Sequence, residues 1–100
     1  MGAIKTNNYT PDEWDISMIA RGISHPARVK IIKQLKMAEG IRNTDFCELL
    51  RMNKSSVKDH LDKLHDADLI SVWWYLPNCY VVTLNRSRVA RLEELMQLRF

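Results

Sequence analysis

The chain of 100 residues has few of the residues that build loops, cross-links or membrane spans. Its three glycines and three prolines are too few for a loop-rich or disordered chain. Its two cysteines, Cys47 and Cys79, form no spaced motif of the kind found in metal sites or disulfide frameworks. No segment approaches the roughly 18 apolar residues of a membrane span, and no signal peptide is apparent. We therefore expect one ordered domain with reduced thiols, located in the cytoplasm and without a membrane partner.

The sequence also lacks the motifs of common catalytic sites. It has no glycine-rich phosphate loop, no nucleophile elbow and no HExxH pair. Ser55 and Ser56 lie close to His60 in the sequence, but helical spacing alone explains that proximity. We therefore predict that the protein is not an enzyme and carries no cofactor.

Charge is present but unevenly distributed. The net charge of +3 favours a polyanionic partner without proving one. Residues 26–36 contain one arginine and three lysines with no acidic residue, whereas residues 69–85 contain no charged residue at all. We interpret the lysines of the first segment as a solvated face that attracts a polyanion only peripherally.

Helix-start signals predict two helices in the first 40 residues. Residues 1–9 show no periodicity and are interpreted as a flexible arm before a domain at residues 10–100. Thr10, Pro11 and Glu13 form a capping box with proline at the first helical position, so helix 1 should run to about residue 23. The dipeptide at residues 25–26 opens helix 2, and Gly40 is predicted to follow it in the left-handed conformation.

Two short helices and a hairpin are predicted next. Helix 3 covers residues 43–50, capped by Asn43 or Thr44, and helix 4 covers residues 54–67, capped by Asn53. A β-hairpin at residues 69–84, which we call the wing, has a turn signal at residues 76–79. A C-terminal helix, capped by Asn85, follows at residues 86–99. The expected fold is mainly α with a small β-hairpin, in the winged helix-turn-helix order α1-α2-α3-α4-β-β-α5.

This order of elements favours binding to double-stranded DNA. The major groove admits one α-helix, and helix 3 would support helix 4 so that its N-terminal half faces base edges and phosphates. The polar side of helix 4 is opposite its apolar line of Val57, Leu61 and Leu64. Many amphipathic surface helices have a polar side of this kind, so helix 4 alone does not indicate DNA binding. The prediction of DNA binding depends on the helix before it and the hairpin after it.

Three segments show a family resemblance. Ile23-Ser24-His25-Pro26-Ala27-Arg28 resembles the leucine-serine-histidine-proline-x-arginine opening of the ArsR-like transcriptional regulators. Residues 52–64 resemble the recognition helix of that family, and residues 65–70 resemble its step into the wing. The similarity covers about residues 14–98. It implies a homodimeric, sequence-specific repressor in the cytoplasm of a bacterium or archaeon.

The resemblance and the helix 4 pattern together define an expected DNA-binding set. The family's recognition contacts carry over to Lys54, Ser55, Ser56, Lys58 and His60. Asp59 departs from the family, which often has histidine there; it either accepts a hydrogen bond from a cytosine amino group or points away. The complete predicted set is Arg42, Thr44, Asn53, Lys54, Ser55, Ser56, Lys58, Asp59, His60 and Lys63, with Arg42 and Thr44 holding the DNA backbone.

The chain lacks the ligands of a metal sensor and the basic wing tip of its family. Helix 3 has only Cys47 and helix 5 has neither histidine nor cysteine, so no metal site is predicted. In the wing, alternation places Trp74 with Ile70 and Val72 on one face, and leaves Trp73 and Tyr75 on the other. Those two rings would pack on helix 5 or on a dimer partner, or form a patch for a protein partner. The predicted dimer interface is Ile16, Ile19, Ile23, Leu92, Leu95 and Met96, although one chain's own core could also bury these residues.

Overall fold

The computed structural model describes residues 8–97 and residue 100. Within that range the helices are α1 Pro11–Gly22, α2 Pro26–Lys36, α3 Asn43–Leu50, α4 Lys54–Asp66 and α5 Arg86–Met96. The strands are β1 Ile41–Arg42, β2 Ile70–Leu76 and β3 Cys79–Leu84. The mainly α winged architecture predicted from the sequence is confirmed. Helix α5 ends at Met96 and not at the predicted residue 99, because Gln97 adopts the left-handed conformation with φ 53° and caps it. Most of the proposed N-terminal arm, and residues 98–99, lie outside the described residues.

Side-chain caps fix the helix starts where the sequence predicts them. Thr10 and Glu13 form the capping box of α1. Nδ1 of His25 accepts the backbone N–H of Ala27 at 3.0 Å and so caps α2. Asn53 caps α4 and Asn85 caps α5. These contacts satisfy backbone N–H groups that have no partner within the helix, and they fix the residue at which each helix begins.

The segment between α2 and α3 differs from the sequence prediction. Helix α2 ends at Lys36 with Met37 as its cap, and Gly40 does not adopt a positive φ. A Cβ at Gly40 would lie 2.7 Å from Cγ1 of Val81, so close packing against β3, not a left-handed turn, accounts for the glycine. Neither Asn43 nor Thr44 caps α3, because the helix begins at Asn43 and Arg42 occupies the cap position without a side-chain hydrogen bond.

Strand β1 is a further element that the sequence did not reveal. Its two residues pair with β3 antiparallel, and the sheet has the order β1-β3-β2. Two residues are too few to show the alternation by which strands are recognised. The pairing attaches the base of the wing to the segment that leads into α3.

One hydrophobic core joins the helices to the base of the sheet. Phe46, Leu35, Leu64 and Leu69 are fully buried in it. Ile19 and Leu92 also have no exposed surface. Their assignment to a dimer interface is therefore corrected, because they contact only their own chain's core. None of the helices in the described ranges is both long and apolar enough to span a membrane.

Candidate nucleic-acid interface

A tight turn between α3 and α4 presents the N-terminal end of α4 to solvent. Arg51 adopts a left-handed conformation with φ 53°, and the N–H of Met52 donates to the carbonyl of Cys47 at 3.1 Å. Oδ1 of Asn53 accepts the N–H of Ser56 at 2.9 Å and the hydroxyl of Ser55 at 3.0 Å. The cap places Lys54 and Ser55 on the exposed first turn, where helix geometry favours anions.

Helix α4 has an apolar inner side and three distinct polar sides. Val57, Leu61 and Leu64 are buried, as predicted. Opposite this line, at the helical repeat of 100° per residue, the outer side carries the exposed residues Ser55, Asp59, Asp62 and Asp66. Lys54 and Lys58 flank it toward the wing. On the other flank, His60 lies toward the start of α2 and Lys63 lies toward α1.

The cations of this region differ in how they are paired. Lys58 donates to Asp62 at 2.9 Å, and this hydrogen bond and the carboxylate charge raise the lysine's pKa. Arg42 pairs with Asp45 at 3.1 Å, and its pKa is raised in the same way. Among the described residues, Lys54 and Lys63 have no carboxylate within ion-pair distance. Because both pairs are exposed and screened by water, a phosphate can replace either carboxylate.

His60 of α4 faces the start of α2. The rings of His60 and His25 have centroids 4.4 Å apart, and His60 is half-buried. Burial lowers the pKa of His60, and the nearby His25 and Arg28 lower it further, while Asp59 opposes them. The lowered pKa favours the neutral imidazole, so His60 is a weaker partner for a phosphate than a lysine is.

A groove separates α4 from the wing. Its volume is about 390 Å³, and its walls include Lys54 and Lys58 on one side and Trp74 and Tyr80 on the other. The two rings have centroids 4.5 Å apart, and burial raises the pKa of Tyr80. A ligand that binds along Lys54 and Lys58 in this groove therefore also contacts the rings of Trp74 and Tyr80.

Asn43, the first residue of α3, connects that helix to the wing. Its Nδ2 donates to the carbonyl of Asn78 at 2.9 Å, and its Oδ1 accepts the N–H of Tyr80 at 3.1 Å. We call this pair of bonds the Asn43 clamp. Sequence reasoning missed it, because it assigned the polar side chain at the helix start to a cap.

The outer part of the wing is apolar and exposed. The exposed fractions are 63% for Trp73, 63% for Trp74, 53% for Tyr75 and 59% for Leu76. Trp74 shares a face with buried Ile70, but β2 extends beyond the body at that point, so the ring is not covered. Nε1 of Trp73 donates to Oγ1 of Thr83 at 2.9 Å, which fixes one ring without burying it. The core of this chain therefore does not cover the aromatic rings.

Within the described ranges, the histidine, cysteine and acidic side chains form no cluster of three or more that could hold a metal ion. Cys47 lines the groove, and both cysteines are free thiols.

Comparison with known proteins finds a family model that matches the part of the chain that forms this site. The model of the bacterial regulatory protein arsR family matches residues 25–72, from the cap of α2 into β2. No curated protein sequence matches the chain.

Solved structures share the fold at low identity. An ArsR family transcriptional regulator has a TM-score of 0.71 and 15% identity, over 88% of this chain and 96% of its own. NolR from Sinorhizobium fredii has a TM-score of 0.68 and 17% identity, over 97% of this chain and 95% of its own. A MarR mutant from E. coli complexed with operator DNA has a TM-score of 0.61 and 16% identity, over 87% of this chain and 66% of its own. Over residues 25–72 the chain is similar to the bacterial regulatory proteins of the arsR family, which are transcriptional regulators and not enzymes, and it shares the winged-helix fold of the solved structures.

Proposed function

We propose that the protein is a dimeric repressor that reads the major groove of a pseudo-palindromic operator with α4. The observation that carries the proposal is the capped, exposed N-terminal half of α4, which presents Lys54, Ser55 and Lys58 beside an open groove. Two copies of α4 about one helical turn of DNA apart would enter successive major grooves. Such a protein acts in the cytoplasm of a prokaryote, where it meets the chromosome.

The residues on and around α4 are expected to make different kinds of contact with DNA. Lys54 and Lys58 supply charge to phosphates or to guanine, and Ser55 can donate or accept at either. Lys63 approaches the backbone on the opposite flank of the helix. Arg42 and Thr44, both exposed at the start of α3, hold the backbone beside the wing. His60 and Ser56 are half-buried, so we propose that they position α4 more than they contact bases.

Dimerisation requires an apolar surface that the single chain leaves partly open. Four apolar residues are half-buried in the single chain. Ile16 lies on α1 and Ile23 caps its C-terminal end, whereas Leu95 and Met96 lie on α5. A partner could complete their burial, and the hydrophobic effect favours that burial. We propose these four as the interface, and sedimentation of a monomer at micromolar concentration would contradict it.

Selection from a pool of random duplexes tests the proposed function. The wild-type protein is expected to enrich a motif with two inverted half-sites about 10 base pairs apart, as two-fold symmetry requires. Absence of any mobility shift, even at low salt where phosphate contacts are strongest, would contradict DNA binding by α4.

The exposed wing favours a second candidate, a winged helix that contacts another protein. Trp73, Trp74, Tyr75 and Leu76 form an apolar patch without charge, and large aromatic residues are typical anchors of protein interfaces. The same selection separates the two functions, because a protein-binding module has no reason to enrich a DNA motif.

A further inference from the structure

Asp59 is an acidic residue at the centre of the surface that the proposed function turns toward DNA. It is exposed and lies on the outer side of α4, one turn after Ser55. The neighbouring Lys58 pairs with Asp62 instead. Lys63 lies one turn later on α4, but the ion pairs of the described residues do not include one between Lys63 and Asp59. The carboxylate therefore has no cation to neutralise it when the helix meets a polyanion.

A carboxylate in this place needs a hydrogen-bond donor from the DNA. Once the helix enters the groove, the carboxylate loses water, and leaving it without a partner costs affinity. The major-groove edges of guanine and thymine offer the carboxylate only acceptors and a methyl group. Adenine offers its N6 amino group, but the adjacent N7 is an acceptor that repels a carboxylate. Cytosine offers its N4 amino group without an acceptor on the same base edge.

We propose that Asp59 selects a cytosine in each half-site of the operator by accepting a hydrogen bond from the N4 amino group. This inference rests on the proposed function of α4 as the recognition helix. Asp59 is the sixth of the 13 residues of α4, within the N-terminal half that reaches base edges in helix-turn-helix complexes. The residue that departs from the family pattern thereby becomes a specificity-determining residue.

The other two carboxylates on the outer side of α4 provide controls. Asp62 already has a partner in Lys58 at 2.9 Å, and Asp66 ends the helix, far from its N-terminal half. Each is exposed like Asp59. Asp62→Asn and Asp66→Asn each remove one negative charge, as Asp59→Asn does. Neither changes the Asp59 carboxylate, which is the group proposed to contact the base.

The experiment is selection from random duplexes with wild-type protein, Asp59→Asn and the two controls, followed by affinity measurements on the selected sites. Wild-type protein and the controls should share one cytosine per half-site. Asp59→Asn should change that position to adenine, because an asparagine amide pairs with adenine N6 and N7. Replacing the selected cytosine should weaken wild-type binding about ten- to a hundredfold, and weaken Asp59→Asn binding much less.

Two results would overturn the inference in different ways. If wild-type protein enriches a motif that Asp59→Asn enriches unchanged, α4 binds DNA but Asp59 does not select the base. If wild-type protein binds no duplex, both the proposed function and the role of Asp59 fail. Since Asp59 is exposed, the substitution should leave folding intact, and circular dichroism of the variant checks this.

Discussion

Helix α4 and the wing lie on opposite sides of one groove, yet their surfaces have opposite chemistry. The outer sides of α4 carry lysines and carboxylates, whereas residues 69–85 carry no charge and expose Trp73, Trp74 and Tyr75. Ionic contacts with phosphate depend strongly on salt, and apolar contacts do not. On the proposed function, the helix would supply the electrostatic part of DNA binding, and the wing would contribute through uncharged contacts.

The two regions are also attached to the body by different means. Helix α4 is held by its apolar line of Val57, Leu61 and Leu64. The wing is held by pairing of β3 with β1 and by the Asn43 clamp. Both regions also share the hydrophobic core, in which Ile70 and Val82 of the sheet lie with the apolar line of α4. The Asn43 clamp does not involve α4, so it can be removed separately.

The largest expected effect comes from releasing the wing with Asn43→Ala. The substitution removes two hydrogen bonds, each worth about 0.5–1.5 kcal/mol net, so the free energy of unfolding should fall by about 1–3 kcal/mol. The backbone N–H of Tyr80 loses its acceptor. Chemical denaturation measures the first effect, and faster hydrogen exchange of the Tyr80 amide reports the second.

Thr44→Ala is the matched control for the clamp. Thr44 is the next residue of α3 and is exposed, and its side chain takes part in none of the hydrogen bonds found in the described ranges. Its loss should leave the Tyr80 amide protected. Equal exchange at Tyr80 in Asn43→Ala and in the wild type would show that strand pairing alone holds the wing.

A smaller effect is expected from pH, and it concerns α4 rather than the wing. The pKa of His60 is lowered from its ordinary value of 6.5 by burial, His25 and Arg28, with Asp59 opposing. The unfolded chain therefore takes up a proton at a higher pH than the folded chain does. The contribution of His60 to stability should be complete above about pH 6.5, should fall as the pH drops from there toward the lowered pKa of His60, and should level off below that pKa.

His60→Gln tests that dependence, with His65→Gln as its control on the same helix. His65 is exposed, so its removal should leave the pH profile of unfolding unchanged. Removal of His60 should flatten the profile just below pH 6.5. A profile that keeps its full slope in His60→Gln would assign the acid sensitivity to other groups.

The sequence predicted local features better than contacts between distant segments. The caps at Thr10, Asn53 and Asn85 and the buried line of α4 depend on residues within a turn or two, so their patterns are visible in the chain. The partners of Asn43 are 35 and 37 residues away. Gly40 packs against Val81, which lies in β3. Neither contact leaves a periodic signal.

The same limit explains the partial correction of the dimer prediction. An apolar stripe shows that a face is buried, but it does not show whether the covering surface belongs to the same chain. Ile19 and Leu92 are covered within the chain, while Ile16 and Met96 remain half-exposed. The contact between His25 and His60 joins two helices, and their positions in the sequence gave no indication of it.

The most direct test of the difference between helix and wing is the salt dependence of DNA affinity. Lys54→Ala with Lys58→Ala should weaken binding and reduce the slope of log affinity against log salt by about 1.8, since each lost phosphate contact contributes about 0.9. Lys30→Ala with Lys33→Ala, which removes the same charge from the exposed side of α2, should leave the slope nearly unchanged. Trp73→Ala with Trp74→Ala should also leave the slope unchanged, whatever its effect on affinity. An unchanged slope in the Lys54 and Lys58 variant, or a reduced slope in the tryptophan variant, would contradict the account.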